Sequence, residues 1–181
     1  MENPVTVLQP QFSSDGAAAT AWVEARECIE KAEVFWLTTV RPDARPHVTP
    51  VLAVWLNDTA YFLTSASERK AKNLAHNAQC VLTTGCNTLS EGFDLVIEGE
   101  AVTVSDNAVL RAVADRYEAK YGRHFTAPDG NFFGLGDAIR SGNALVYAVA
   151  PTTAFGFGKG EQFSQTRWQF SRQAAAGNPH P

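Results

Sequence analysis

Charge is scarce in this chain and neither sign dominates it: Asp, Glu, Lys and Arg make up 19% of its 181 residues, and the formal net charge is −4. A protein that holds nucleic acid or a membrane surface through general electrostatic attraction needs a cationic excess, so both classes are excluded. Long apolar runs are also missing. Val34 to Leu37 and Val51 to Leu56 are typical of the runs present, far short of the roughly 20 residues a spanning helix requires. The acidic, proline-bearing start has no signal-peptide layout, so a soluble, cytoplasmic protein is expected. Cysteine is sparse: Cys28, Cys80 and Cys86 are odd in number, form no CxxC pair and have no histidine at ligand spacing. They are read as free thiols, with no metal site and no disulfide framework. No Ser/His/Asp or Cys/His arrangement stands out, and Glu98 with Glu100 reads as one face of a strand, so a hydrolase has no support.

Apolar and aromatic residues, by contrast, are abundant: 45% of the chain is hydrophobic, with 11 Phe, 4 Trp and 4 Tyr. A chain of this length hides roughly 70% of its unfolded surface on folding, so one well-buried domain is expected. Residues 1–14 read as an irregular amino-terminal arm, 15–172 as the folded domain and 173–181 as a flexible tail.

Asp15 is placed to cap a helix through the Ala-rich stretch to Lys31, with Trp22, Ala25 and Ile29 on one face. From Glu33 the pattern changes to EVFWLTTV, turn chemistry in RPDARP, then HVTPVLAVWL: a hairpin. Asn57-Asp58 turns the chain into TAYFLT, giving a three-stranded meander. Pro50 lacks an N–H for the ladder and marks an edge or a bulge. Ser67 is expected to cap a short helix, ERKAKNLAHN, and QCVLTTG to follow as a strand. FDLVIEGEAVTVS forms long extended structure with Gly99 as a bend. Asp106 caps a third helix whose buried face carries Val113, Tyr117 and Tyr121 and which stops at Gly122. NALVYAVAP, TAFGFG and QTRWQF give the last strands. Seven or eight antiparallel strands with peripheral helices favour a closed β-barrel.

Three segments carry candidate chemistry. In Thr64-Ser65-Ala66-Ser67-Glu68-Arg69-Lys70 two cations stand in the first turn of a helix, where the backbone dipole disfavours them. A phosphate there would meet free N–H groups, hydroxyls and both cations; the alternative is a solvated basic helix. In His47 to Val51, backbone groups freed by Pro50 can border a planar heterocycle, or simply face water. His47 is a candidate general acid or base. Phe155-Gly156-Phe157-Gly158 offers close backbone approach and aromatic walls, or a twisted strand with core aromatics.

The ordered set WLTTVRPDARPHVTPVLAVW, YFLTSASERKAKNLA, CVLTTG, VIEGEAV and the RW of QTRWQF resembles the pyridoxamine 5'-phosphate oxidase-like family of flavin- and deazaflavin-binding split β-barrels, in particular the actinobacterial branch that uses coenzyme F420. That resemblance implies a mainly β, homodimeric split barrel with the cofactor in a groove between subunits. Arg69 and Lys70 match the pair that grips the cofactor phosphate, helped by Thr64 and Ser65. The segment His47, Val48, Thr49, Pro50 and Val51 matches the strand bordering the ring. Phe157 stands where the oxidase has a ring-contacting Trp, and Arg167 matches a carboxy-terminal Arg, both from the second subunit. Lys72 and Lys159 are candidates for the anionic tail of F420.

The implied activity is hydride transfer from reduced F420 to a small conjugated or aromatic substrate, with His47 or solvent as proton source. FMN is the competing cofactor, and a non-catalytic flavin, deazaflavin or haem binder the competing class. No clear equivalent of the oxidase's basic substrate pocket is visible, so vitamin B6 oxidation is not the first choice.

Overall fold

The computed structural model describes residues 3–125 and 134–171. The tail read at 173–181 lies outside them, as does part of the loop after Gly122. Among the described residues there are nine strands: β1 (Val5–Leu8), β2 (Phe35–Val40), β3 (Pro46–Val51), β4 (Ala53–Leu56), β5 (Thr59–Thr64), β6 (Gln79–Thr84), β7 (Gly92–Thr103), β8 (Leu145–Lys159) and β9 (Ser164–Gln169). The helices are α1 (Trp22–Lys31), α2 (Arg69–His76), α3 (Asn107–Tyr121) and α4 (Leu135–Arg140).

All pairings are antiparallel, and one path runs β1-β9-β8-β7-β6-β2-β3. β8 is long enough to serve two neighbours on one edge: its first part pairs with β5 and its last with β9, while β7 follows it on the other edge. β4 then pairs with β5. The consecutive strands β3 and β4, with only Leu52 between them, thus lie at opposite ends of a wrapped sheet. No ladder joins them. The expected closed barrel is therefore split, because the chain crosses the gap by a kink at Leu52 instead of by a strand pair.

A kink inside buried structure leaves backbone groups that need partners. Helix α3 provides them. The Tyr117 hydroxyl lies 2.8 Å from the Leu52 carbonyl and 3.2 Å from that of Tyr61. The Tyr121 hydroxyl accepts from the Ala53 N–H at 3.2 Å and lies 2.8 Å from the Ala53 carbonyl. Lys120 Nζ donates to the same carbonyl at 3.0 Å. Positions i, i+3 and i+4 of one helix face thereby satisfy the break.

Two apolar clusters hold the layers together. Inside the sheet lie Phe35, Leu37, Phe62, Leu82, Leu95, Ile97 and Trp168, with Trp22 of α1 edge-on to Trp168 at 5.4 Å. Outside it, Val113, Tyr117 and Tyr121 of α3 and Ile139 of α4 pack on Val54, Tyr61 and Val146. Gly99 sits at a register shift in β7, and a Cβ there would come within 2.6 Å of the Ala150 carbonyl, so the expected bend is real. The Asn57-Asp58 turn has both residues at positive φ, the geometry a two-residue hairpin requires.

Several expected boundaries move. Helix α1 starts at Trp22, not after Asp15, because Thr20 is held along β9: its N–H bonds the Thr166 hydroxyl at 2.9 Å, and its carbonyl accepts from the Trp168 indole at 3.2 Å. Glu68 replaces Ser67 at the cap of α2, its carboxylate taken by the Ser65 N–H at 2.9 Å. Asp106 caps α3 as read, accepting from Ala108 and Val109. The arm read as irregular contains β1, which pairs with β9. Helix α4 was hidden in the glycine-rich loop and is tied to α3 by Arg140, 2.6 Å from Asp115.

Tyr121→Phe is expected to leave the fold intact and lower the unfolding free energy by about 1–3 kcal/mol, the cost of buried backbone groups losing a partner. Urea denaturation reads this as a lower midpoint at unchanged slope.

Candidate functional site

The β2/β3 hairpin and α2 build the site. The register sets His47 opposite Thr39, and Thr39 is fully buried. The Asn73 side-chain amide, also fully buried, donates to the Thr39 hydroxyl at 2.9 Å and so fixes α2 against the hairpin. Docked this way, α2 presents its first residues, Arg69 and Lys70, to His47. From the turn comes Arg41, whose N–H bonds the Arg45 carbonyl at 2.9 Å in a loop closed by Ala44 at positive φ.

The electrostatics show how closely these groups stand. The His47 imidazole is held below its ordinary pKa, first by burial, then by the positive charges of Arg41, Arg69 and Lys70. It is therefore neutral at neutral pH. Lys70 is buried at 8% exposure and paired with Glu68. The hydrogen bonds from Lys70 and from the Ser65 N–H pull the Glu68 carboxyl below its usual range. Among the described residues Arg41 and Arg69 have no ion-pair partner: Glu68 is paired with Lys70, and Asp43, near Arg41, is paired with Arg45.

Polar atoms are also left over. Arg41 Nε, His47 Nδ1 and Asn73 Oδ1 are buried without a hydrogen-bond partner. Arg41 Nε is a donor, and His47 Nδ1 is one in the tautomer that carries its proton there, so inside a cluster of excess positive charge the two suit an anion with several acceptor oxygens, while Asn73 Oδ1 is itself an acceptor. At the mouth, the Ser65 and Ser67 hydroxyls lie 3.0 Å apart and exposed, while Thr64 is buried with its hydroxyl on the Ser65 carbonyl at 3.3 Å. A phosphate fits this cradle.

The rest of the expected site divides between the two faces of the sheet. Along β3 side chains alternate, so Val48 and Pro50 face away from the barrel interior and His47, Thr49 and Val51 toward it. The register builds one row across six strands on the outer face: Pro50, Trp36, Thr83, Val96, Phe155, Arg167. Phe157 stands in the next row, between Asp94 and Gln165. Trp36 is 50% exposed and Val48 54%. Phe157 and Arg167 therefore sit on β8 and β9, at the far side of this row from β3, and one chain does not bring them to Arg69 and Lys70. Lys159 is not available for an anionic tail, being bound to Asp94 at 2.9 Å and to the Cys86 carbonyl at 2.5 Å. Lys72 is exposed on α2.

Sequence reasoning missed Arg41, Thr39 and Asn73. Hairpin register held the signal for two of them: once His47 pairs with Thr39, Arg41 falls two positions beyond it, at the turn and beside the helix start. Asn73 read as a polar position in an amphipathic helix.

A wrapped antiparallel sheet, split between β3 and β4 and flanked by helices, with a cationic cradle where α2 begins, defines a split β-barrel. The chain belongs to the pyridoxamine 5'-phosphate oxidase family, whose sequence model matches residues 22–155. No curated protein matches it in sequence. Solved structures share the fold at low identity. A candidate 5-nitroimidazole antibiotic resistance protein from Bacteroides thetaiotaomicron is 17% identical with a TM-score of 0.61, covering 93% of each chain. A FAD-binding protein from Mesorhizobium loti is 13% identical, with a TM-score of 0.55 over 82% of this chain and 95% of its own. A haem storage protein from Vibrio cholerae is 18% identical, with a TM-score of 0.56 over 71% and 88%.

The charge cluster makes a prediction that needs no ligand. His47 titrates below the ordinary histidine range, and Arg41→Ala shifts its titration upward, because one of the charges opposing protonation is gone. An NMR pH titration of the His47 ring protons measures both; an unmoved midpoint in the variant contradicts the cluster.

Proposed function

We propose that this protein is an oxidoreductase that holds a flavin-type cofactor by its phosphate at Arg41, His47, Arg69 and Lys70. The observation that carries this reading is the pair of unpartnered buried nitrogens, Arg41 Nε and His47 Nδ1, inside a cluster with more positive than negative charge. Ser65 and Ser67 add hydroxyls at the rim. His47, neutral in this setting, serves as a hydrogen-bond donor to the phosphate and not as the proton source of the reaction. The backbone of β3 from His47 to Val51 borders the ring, and the proton comes from solvent or substrate.

Reduced coenzyme F420 is the cofactor of our first reading and FMN of the second. When bound in reduced form, it supplies the hydride that passes to a small conjugated or aromatic acceptor. The outer row with Trp36 and Val48 is the surface for a second copy of the chain. A homodimer through this face brings the partner's counterparts of Phe157 and Arg167 toward the first subunit's cradle. Supporting it, Trp36 and Val48 are large apolar groups left half exposed on neighbouring strands. A haem-binding role is a further reading, favoured by the neutral state of His47, since a metal ligand must be unprotonated.

Titration of the purified protein with F420, FMN and haemin separates these readings. Arg41→Ala with Arg69→Ala is expected to weaken F420 binding by about 100-fold or more, from two lost charge-assisted bonds. Tight FMN binding without F420 affinity moves the assignment to FMN. Affinity unchanged in the double variant refutes the phosphate cradle. Oxidation of reduced cofactor by quinones or nitroaromatics tests turnover; saturable binding without turnover marks a carrier.

A further inference from the structure

One carboxylate of the chain already stands in the cationic cradle. Glu68, the cap residue of α2, turns back over the end of β5: its Oε1 accepts from the Ser65 N–H at 2.9 Å, and its Oε2 is paired with Lys70. The carboxyl is held below its usual range first by Lys70, then by the Ser65 N–H and in smaller part by the Thr64 hydroxyl. Lys70 is at the same time one of the three cations that depress His47. Two carboxylate oxygens thus take donors that belong to the cradle, as two oxygens of a phosphate could.

The two ends of this pair are not equally fixed. The Lys70 side chain is 9% exposed and that of Glu68 46%. Lys70 is therefore tied to the interior, where an ammonium without a counter-charge is costly, and Glu68 is its one ion-pair partner among the described residues. Glu68 reaches it from the surface, so rotation about its side-chain bonds carries the carboxylate back into water. Its place can be taken without moving the backbone of α2.

Glu68 also serves only part of the cluster. Arg41 Nε and His47 Nδ1 stay buried without a partner although the carboxylate is present, and neither Arg41 nor Arg69 is ion-paired. A tetrahedral anion with oxygens to spare can meet Lys70, the Ser65 N–H and some of these groups together, which one carboxylate does not. The exchange leaves Lys70 neutralised throughout.

Taking the cradle to hold a phosphate, as proposed above, we propose that Glu68 is its built-in counter-ion: it neutralises Lys70 and occupies the Ser65 N–H in the ligand-free protein, and an arriving phosphate displaces it into solvent. Glu68 therefore stabilises the protein without ligand and competes with the ligand for the same donors. A purely structural ion pair has the first property and not the second.

Inorganic phosphate titrated into the full-length protein at constant ionic strength, followed by the His47 ring resonances, tests this. Glu68→Gln keeps an acceptor oxygen for the Ser65 N–H and removes the charge. Without phosphate the variant is expected to melt at a lower temperature than the wild type, and yet to bind phosphate about tenfold more tightly, as for one lost competing charge-assisted contact. A crystal structure of the wild-type protein grown in phosphate needs no variant: the anion is expected on Lys70 and the Ser65 N–H, with the Glu68 side chain turned outward. Unchanged or weaker affinity in Glu68→Gln overturns the proposal, as does a phosphate bound beside an intact pair of Glu68 and Lys70; in both cases the cradle itself stands. Phosphate that fails to saturate the His47 signal in either protein removes the cradle and this role of Glu68 together.

Discussion

Everything in this fold depends on how the backbone is satisfied at Leu52. A strand that runs from one end of a wrapped sheet to the other must leave its ladder, and the freed carbonyls and N–H groups sit in a dry interior where each lost hydrogen bond is costly. Tyr117, Lys120 and Tyr121 answer this from a single helix face. Because they do, β3 is free to stay at an edge, with its backbone and the adjoining hairpin turn open to a ligand. The cradle proposed for an anion and the plug at the break are thus two sides of one arrangement.

The same economy governs charge. The chain has few charged residues, and many of the described ones are matched: Arg140 with Asp115 and Glu118, Arg123 with Glu33, Lys159 with Asp94. Among the cations without an ion-pair partner in the described residues, Arg41 and Arg69 stand together around His47. Positive charge left uncompensated and clustered in a protein of net charge −4 attracts anions locally.

Much of this was legible in the residues, and the limits follow from physics. Alternating patterns and the Asn57-Asp58 turn are local signals, and they placed the strands well. Gly99 and Asp106 were read correctly because a bend and a cap each depend on a few adjacent atoms. The start of α1 was misplaced because its competitor is not local: Thr166 and Trp168, more than 140 residues away, hold Thr20 extended. The same holds for the open barrel, since closure depends on which strands meet. In the site, Arg69 and Lys70 were visible as charges at odds with a helix dipole. Arg41 and Asn73 were not, because their roles arise only when hairpin register and helix docking combine.

The length of β8 has a consequence for how the protein is made. Its 15 residues pair with β5, β7 and β9, and the first two of these were synthesised far earlier in the chain. Until Leu145 to Lys159 has left the ribosome, the edges of β5 and β7 have no partner, and unpaired edges invite intermolecular pairing. Closing such distant segments costs chain entropy before any contact rewards it, which slows folding. The nascent chain therefore waits for one late strand, and the interval before its arrival is when this protein is most in need of a chaperone.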